Sequence, residues 1–562
     1  MSATQSCLSD PRFGYDFVVA TTQESINASM KEFLSGLTEP VVTMCYVADA
    51  TGKPQAIAHA DLVAEAQGSD PFIVPPDADP ATNQDLKNLL AARFMMGFRA
   101  QLGIPPAEPK ADVPNVVTLG ADTGSVAFNL LCSEFDVVEL VPGGGYSAQP
   151  TWMNVSQPSD APWVFSSKVD LLMTEVSQSE FSGLPAAVRS QVMALGGDPF
   201  SVQQLLFDLD NAALETTPVI SGVEPGTDLY TVLNETFLGS YFAQLKAQGQ
   251  PLLGCVITQP SAPPATLVPT GLELEVCPLL NDDSSPIPSP TPQQAGLATL
   301  NYLCSAGGDT LPPAVAFSWN WIDPLPEQQA DGVMAINRGA FARYLEAQLY
   351  SYTSSNCYQP VVEVDDYKVA GVSWTTGLTP DQAPTVTYPN DESTLISFTW
   401  TGDAHDESGN TFGEEWMTSS FSLAVTYAGN IMTVTQHLVI YLKIRSLATY
   451  GSGNVVDITV VDTYTLAATQ AGALAVTMTS TRTDNSKNPS TNSFLNFWTD
   501  LNSIIDSIKD WARNVVPTAL TDVPVSVLQD FVFPGGKTFT FTQVAFSKAG
   551  DLTSEISYTA TD

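Results

Sequence analysis

Between Asn492 and Val516 the chain reads NSFLNFWTDLNSIIDSIKDWARNVV, with apolar residues at Phe494, Phe497, Trp498, Leu501, Ile504, Ile505, Ile508, Trp511, Ala512 and Val515. Spacings of three and four residues place them on one face of a helix. Asn496, Asp500, Asn502, Asp506, Lys509, Asp510 and Arg513 take the opposite face. At 1.5 Å per residue the helix would run roughly 36 Å, and Pro517 ends it. Strand-like segments flank it, so the pattern predicts a long helix lying along a sheet. Docking alone calls for less than two Trp and two Phe on one stripe, so the stripe also reads as the lining of a long apolar groove. Its candidate lining residues are Phe494, Trp498, Leu501, Ile505, Ile508 and Trp511.

The same alternation of elements runs through the chain. YDFVVA at 15–20 is a strand pattern, Thr21 and Glu24 make a capping box, and Ile26, Met30, Phe33, Leu34 and Leu37 give a helix face. A strand follows at Val41–Val47. A second helix is expected over Asn83–Leu102, with Leu86, Leu89, Leu90, Phe94, Met95 and Phe98 inward. Strands are expected through 113–175. Helical patterns follow at Leu184–Leu195, Val202–Leu209 and, longer, Thr227–Gln248, where Phe237 and Tyr241 join the groove candidates. LLGCVIT and LELEVCPLL read as strands, 281–292 (NDDSSPIPSPTP) as a linker or exposed crossing, and 314–322 as a strand. Over 331–350 the opening pattern returns: Asp16 and Asp331, Val18 and Val333, and Ala20 and Ala335 align at one offset, as do Ile26 with Phe341 and Met30 with Leu345. From Val361 to Ser480 the period is two almost throughout. Two last strands are expected at 522–532 and 538–558. The reading is α+β, in two halves at 1–294 and 295–562. Each half is a curled antiparallel sheet wrapped on a long amphipathic helix, and the first carries a polar insertion near 48–115.

Composition narrows the partners. The 562 residues carry a net charge of -39 with only 21 Lys+Arg, a surface that repels phosphate backbones and anionic membranes. No nucleic acid is expected. No apolar run reaches 18 residues, so no transmembrane segment is expected. The first residues, MSATQSCLSD, lack a basic and an apolar region, so the chain is expected to be soluble, either cytoplasmic or released by a non-classical route. Seven Cys without a CxxC argue against a metal cluster. Cys255 and Cys277, on neighbouring expected strands, could pair.

Candidate chemistry is sparse. The three histidines, His59, His405 and His437, have no catalytic neighbours in sequence, and neither GxSxG nor HExxH occurs. The acidic stretch 403–415 (DAHDESGNTFGEE) offers Asp403, Glu407 and Glu414 as a candidate calcium loop, but its Gly is displaced relative to an EF-hand and a strand precedes it. A solvated hairpin loop is the default. The glycines at 143–145 and 535–536 read as turns. No catalytic residue, metal or cofactor is expected, and the chain reads as a non-enzyme.

The order helix, meander, long helix, closing strands resembles the tubular lipid-binding (TULIP) superfamily. FGYDFVVATTQESINASMKEFL near the start and FPGGKTFTFTQVAFSKAGDL near the end are similar to the clostridial neurotoxin-cluster accessory proteins of the OrfX and forty-seven-kilodalton type. The resemblance implies binding of a lipid or another long apolar ligand, a toxin-associated or insecticidal setting, and a protein partner in a toxin complex. It brings no catalytic residues. Two rival classes remain from the residues alone. One is a β-pore-forming toxin, for which 455–483, rich in Thr and Val, would be the inserting hairpin. The other is a structural or storage protein.

Overall fold

The computed structural model describes residues 2–36, 41–105, 113–120, 125–141, 143, 149–159, 161–175, 201–207, 213–216, 220, 223–237, 239–241, 243, 252–258, 267–323, 330–367, 371–391, 393–409, 413–446, 450–468, 474–487, 531–532 and 538–559. The stretch 492–516 lies outside them, as does 184–195. The fold is α+β and dominated by antiparallel sheets.

A six-stranded sheet forms the centre. Its order is Pro269–Cys277, Thr299–Ala306, Phe17–Thr22, Gly332–Ile336, Leu552–Thr559, Thr538–Phe546. The two opening strands recognised in the sequence are neighbours in it. Val18 pairs with Ala335, Val19 with Met334 and Ala20 with Val333. At the offset that aligns Asp16 with Asp331, Val19 therefore faces its own counterpart, as at a two-fold axis. Each opening strand runs into a helix, Gln23–Gly36 or Arg338–Ser355, and a hairpin closes each flank. Both central strands are buried on both faces, which is why they read as unbroken apolar runs. One face packs on Leu8, Phe13, Phe317, Trp319 and Trp321, and the other joins the main core.

Three caps differ from or refine the sequence reading. Thr22, not Thr21, accepts the Ser25 amide, at 3.1 Å, while the Thr21 hydroxyl is turned to the Leu300 carbonyl across the sheet. Asn337 caps the second helix by accepting the Gly339 amide at 2.7 Å. Asn83 accepts from Leu86 at 3.0 Å, but its helix spans only Gln84–Ala91. Arg93 takes a left-handed φ of 60°, which ends the helix, and Phe94–Leu102 is a strand with Phe94, Met96, Phe98, Ala100 and Leu102 inward. The expected helix to Leu102 fails because FMMGFRAQL satisfies period two as well as 3.6. Strand Phe94–Leu102 pairs with Val41–Ala48 and Cys132–Val141, and helices His59–Glu65 and Gln84–Ala91 pack on that sheet through Leu62, Phe72, Leu86, Leu89, Val138 and Leu140. The polar insertion near 48–115 therefore has a small core of its own.

Ser201–Phe207 is a strand rather than a helix, paired on both sides with Leu252–Thr258 and Phe165–Glu175. Residues 314–322 form no strand; the missing strand of that region is Thr299–Ala306, and Trp319 and Trp321 are buried in an irregular cover instead. Cys277 is a free thiol on a different sheet from the strand that carries Cys255, so the two do not pair.

Candidate functional site

The long period-two segments of the second half form one six-stranded sheet, Thr385–Thr387, Thr394–Glu407, Gly413–Ala428, Ile431–Ser446, Tyr450–Ala468 and Leu474–Asp484, paired in sequence order. Alternation, shifted at two bulges, puts one side of every strand on a single inner face. Ile396 and Phe398, Phe421, Leu423 and Val425, Val434, Leu438, Ile440 and Leu442, and Ile458, Val460 and Leu466 are all buried there. At about 3.3 Å per residue the 16-residue strands Gly413–Ala428 and Ile431–Ser446 extend this face over roughly 50 Å.

Helix Arg338–Ser355 lies against one part of the face. Its Tyr352 hydroxyl donates to Gln436 Oε1. Hairpin Gln359–Tyr367/Gly371–Thr379 covers another part: the Val364 amide donates to Asp406 Oδ2 at 2.7 Å and Thr376 Oγ1 donates to Glu415 Oε1 at 2.6 Å. At the near end Phe546 packs on Tyr427 with the rings tilted by 34° and their centroids 4.8 Å apart.

Polar groups interrupt the apolar face at Glu415, Ser419, Gln436 and Asp462, each buried. Among the described residues, Glu415 Oε2, Ser419 Oγ, Gln436 Nε2 and both carboxylate oxygens of Asp462 have no hydrogen-bond partner. Burial pushes the Glu415 carboxyl up to about 7, with Asp406 opposite it adding repulsion. Glu275, in the central sheet beside Asn301, is likewise pushed up to about 7 by burial. Asp16, Glu139 and Glu555 move the same way for the same reason.

A carboxyl whose folded pKa is raised stabilises the fold while protonated, and that contribution is lost as pH rises from about 4.5 through about 7. The urea midpoint should therefore rise as pH is lowered from 8 to 5. Glu275 and Glu415 should each contribute on the order of 2 to 3 kcal/mol across that window. Glu275→Gln and Glu415→Gln should each flatten the profile. A profile as steep in both variants as in the parent would assign the slope to net charge instead.

In the first half, Phe237 and Tyr241 follow a short helix, Asp228–Val232, that continues as a π-helical turn, Leu233–Phe237. Phe237 packs on Phe135, Phe165 and Tyr241 with centroid distances of 4.7, 5.3 and 6.0 Å. The Tyr241 hydroxyl donates to the Leu131 carbonyl at 2.9 Å and accepts from its amide at 3.2 Å. Both side chains are fully enclosed. The other groove candidates, Phe494, Trp498, Leu501, Ile505, Ile508 and Trp511, lie outside the described residues.

The candidate calcium loop is a β-ladder. Asp403 pairs with Thr418, His405 with Trp416 and Glu407 with Glu414, so the carboxylates stand on one sheet surface and do not encircle a point. His405, Glu407 and Glu414 do converge, each offering one ligand atom within 4.8 Å of the others. Lys443 Nζ already donates to Glu414 at 2.9 Å and Arg445 lies at 3.9 Å. Lys443 above all, with His405 beside it, holds the Glu414 carboxyl below its ordinary value. The cluster is a surface ion-pair patch, of small energetic consequence. His59 and His437 also face carboxylates, Asp70 at 3.1 Å and Asp457 at 3.0 Å. The diagonal polar pair Gln436 and Asp462 was missed in the sequence, although one Asp and one Gln at inward positions of otherwise apolar strands were the available signal.

No family model matches the chain, and no curated protein does. Among solved structures the chain is similar to P47 from Clostridium botulinum A2, at 10% identity over 96% of this chain and 97% of that one, with a TM-score of 0.40. It is also similar to P47 of Clostridium botulinum E1, at 9% identity over 96% and 98%, with a TM-score of 0.41. A lipopolysaccharide binding protein is similar at 11% identity over 97% and 99%, with a TM-score of 0.28.

Proposed function

We propose that this chain is a non-enzymatic binder of lipid or another long apolar ligand, held along the inner face of the Thr394–Asp484 sheet. The observation that carries the reading is that face itself: strands about 50 Å long whose inward side chains are mostly apolar, long enough for an extended acyl or isoprenoid chain. Ligand sites of this kind are concave and mostly apolar, with a few placed polar groups. The stripe Phe494, Trp498, Leu501, Ile505, Ile508 and Trp511 belongs to the same proposal as the apolar partner of that face. So does a two-half organisation at 1–294 and 295–562, supported by the pairing of the opening strands about Val19 and Met334. A toxin-associated role rests on the sequence resemblance.

Two tryptophan variants test the stripe. Trp511→Ala should cost about 3 to 5 kcal/mol, as for a buried large aromatic. Trp498→Ala should cost much less and should reduce uptake of a fluorescent fatty acid or long-chain alcohol, because Phe494, Phe497 and Leu501 already supply docking surface around it. Equal, large losses of stability with uptake intact in the folded fraction would leave an ordinary core helix and remove the stripe from the site.

A further inference from the structure

The inner face of the second-half sheet carries a buried carboxylate, near enough to the Tyr352 hydroxyl to act on it electrostatically, that no hydrogen bond among the described residues satisfies. Asp462 is fully enclosed on strand Tyr450–Ala468, and neither of its oxygens has a hydrogen-bond partner among the described residues. Its neighbours on the ladder are apolar or hydroxylic: Val434 lies directly opposite on one side and Ser480 on the other. Gln436, one rung away on the same face and opposite Val460, is equally enclosed. Its Oε1 accepts from Tyr352, while its Nε2 has no acceptor. Diagonal positions of this kind bring long side chains within reach of a common point.

Buried polar groups in folded proteins are almost always hydrogen-bonded, and an unpaired one costs several kcal/mol. A packed hydrocarbon interior gives no reason to retain an Asp and a Gln side by side with complementary orphan atoms. The missing group has a definite chemistry. It must donate to Asp462 and accept from Gln436. A hydroxyl does both with one oxygen. A carboxylate or phosphate has no proton for Asp462 and adds a like charge beside it. An ammonium has no lone pair for Gln436.

We propose that Asp462 and Gln436 form the polar anchor of the apolar site and select a ligand whose head is an uncharged hydroxyl, such as a long-chain alcohol or hydroxylated neutral lipid. The selection rests on the apolar-ligand reading above and sharpens it. The ligand's chain runs along Leu438, Ile440 and Ile458 while its hydroxyl bridges the two side chains. Free fatty acids and phospholipid head groups are rejected at this point by charge.

The test uses two fluorescent probes of equal chain length, one ending in a hydroxyl and one in a carboxylate, titrated into the full-length protein at pH 7.5. The parent should bind the alcohol at least about tenfold more tightly, as expected where a site is built to hydrogen-bond an OH. Asp462→Leu, which removes the charge and keeps the bulk, should erase that preference. Asp462→Asn, whose amide can donate to a carboxylate, should move it towards the acid, and as a neutral isostere it carries the test if the leucine variant does not fold. Equal affinity of the parent for the two probes, or a preference that survives both substitutions, would overturn the anchor while leaving the apolar-ligand reading standing. Uptake of neither probe would overturn that reading and the anchor together.

Discussion

Asp551→Ala is expected to destabilise the protein by about 3 to 5 kcal/mol, the range for stripping the partner from a buried, multiply hydrogen-bonded charge. Asp551 is fully buried at the turn that joins the two closing strands, after Gly550 in the left-handed region at φ 90°. Its Oδ2 accepts from Ser6 Oγ at 2.6 Å and from the Leu8 amide at 2.7 Å, and its Oδ1 accepts from the Arg338 amide at 3.1 Å. One carboxylate therefore ties three distant parts of the chain together: the N-terminal segment, the start of helix Arg338–Ser355 and the closing hairpin. Alanine leaves three donors unsatisfied, at about 1 to 3 kcal/mol for each that stays buried. It also loosens the N-terminal segment, whose Leu8, Phe13 and Tyr15 cover one face of the central sheet. Limited proteolysis should cut the variant within the first 16 residues sooner than the parent. A urea midpoint within about 1 kcal/mol of the parent, with unchanged proteolysis, would show that the clasp is dispensable. The backbone turn needs its own residue: a Cβ on Gly550 would stand 2.5 Å from the Tyr427 hydroxyl.

Phe237→Ala should cost a similar amount, about 3 to 5 kcal/mol, and leave ligand uptake per folded molecule unchanged. Its ring is enclosed by Phe135, Phe165 and Tyr241, with Trp163 packed 5.4 Å behind Phe135. A cavity of benzyl size among four aromatic rings cannot collapse without moving strands Cys132–Val141 and Phe165–Glu175. From sequence Phe237 counted among the groove residues. Its surroundings here are those of a packed aromatic core, so stability and uptake should separate cleanly. Urea unfolding measured beside probe binding decides it. A loss below about 1 kcal/mol together with altered uptake would return Phe237 to the ligand site.

What the sequence disclosed follows from how each element earns its periodicity. The strands from Thr394 to Asp484 alternate over most of their length, broken only by bulges at Thr394/Ile396 and Ile440/Tyr441, so their faces and much of their inner lining could be read directly. The opening strands at Phe17 and Gly332 were legible as apolar runs followed by caps, and their offset anticipated that Val19 and Met334 would be equivalent. Short segments misled where two periods fit. FMMGFRAQL reads as a continued helix until Arg93 turns left-handed, and SVQQLLF reads as a helix until two neighbouring strands claim its backbone. Trp319 and Trp321 mimicked a strand because an irregular cover also needs apolar anchors. The site was the least legible part. Asp462 and Gln436 stand out only once the register shows that they share a face, and register is a tertiary fact.

Native mass spectrometry of the purified full-length protein, followed by organic extraction and lipid identification, tests the proposed function most directly. The expected result is a discrete non-covalent adduct that dissociates on activation, whose extract holds a long apolar molecule ending in a hydroxyl. A spectrum showing only the bare 59.9 kDa chain, combined with no uptake of either the alcohol or the acid probe, would contradict it.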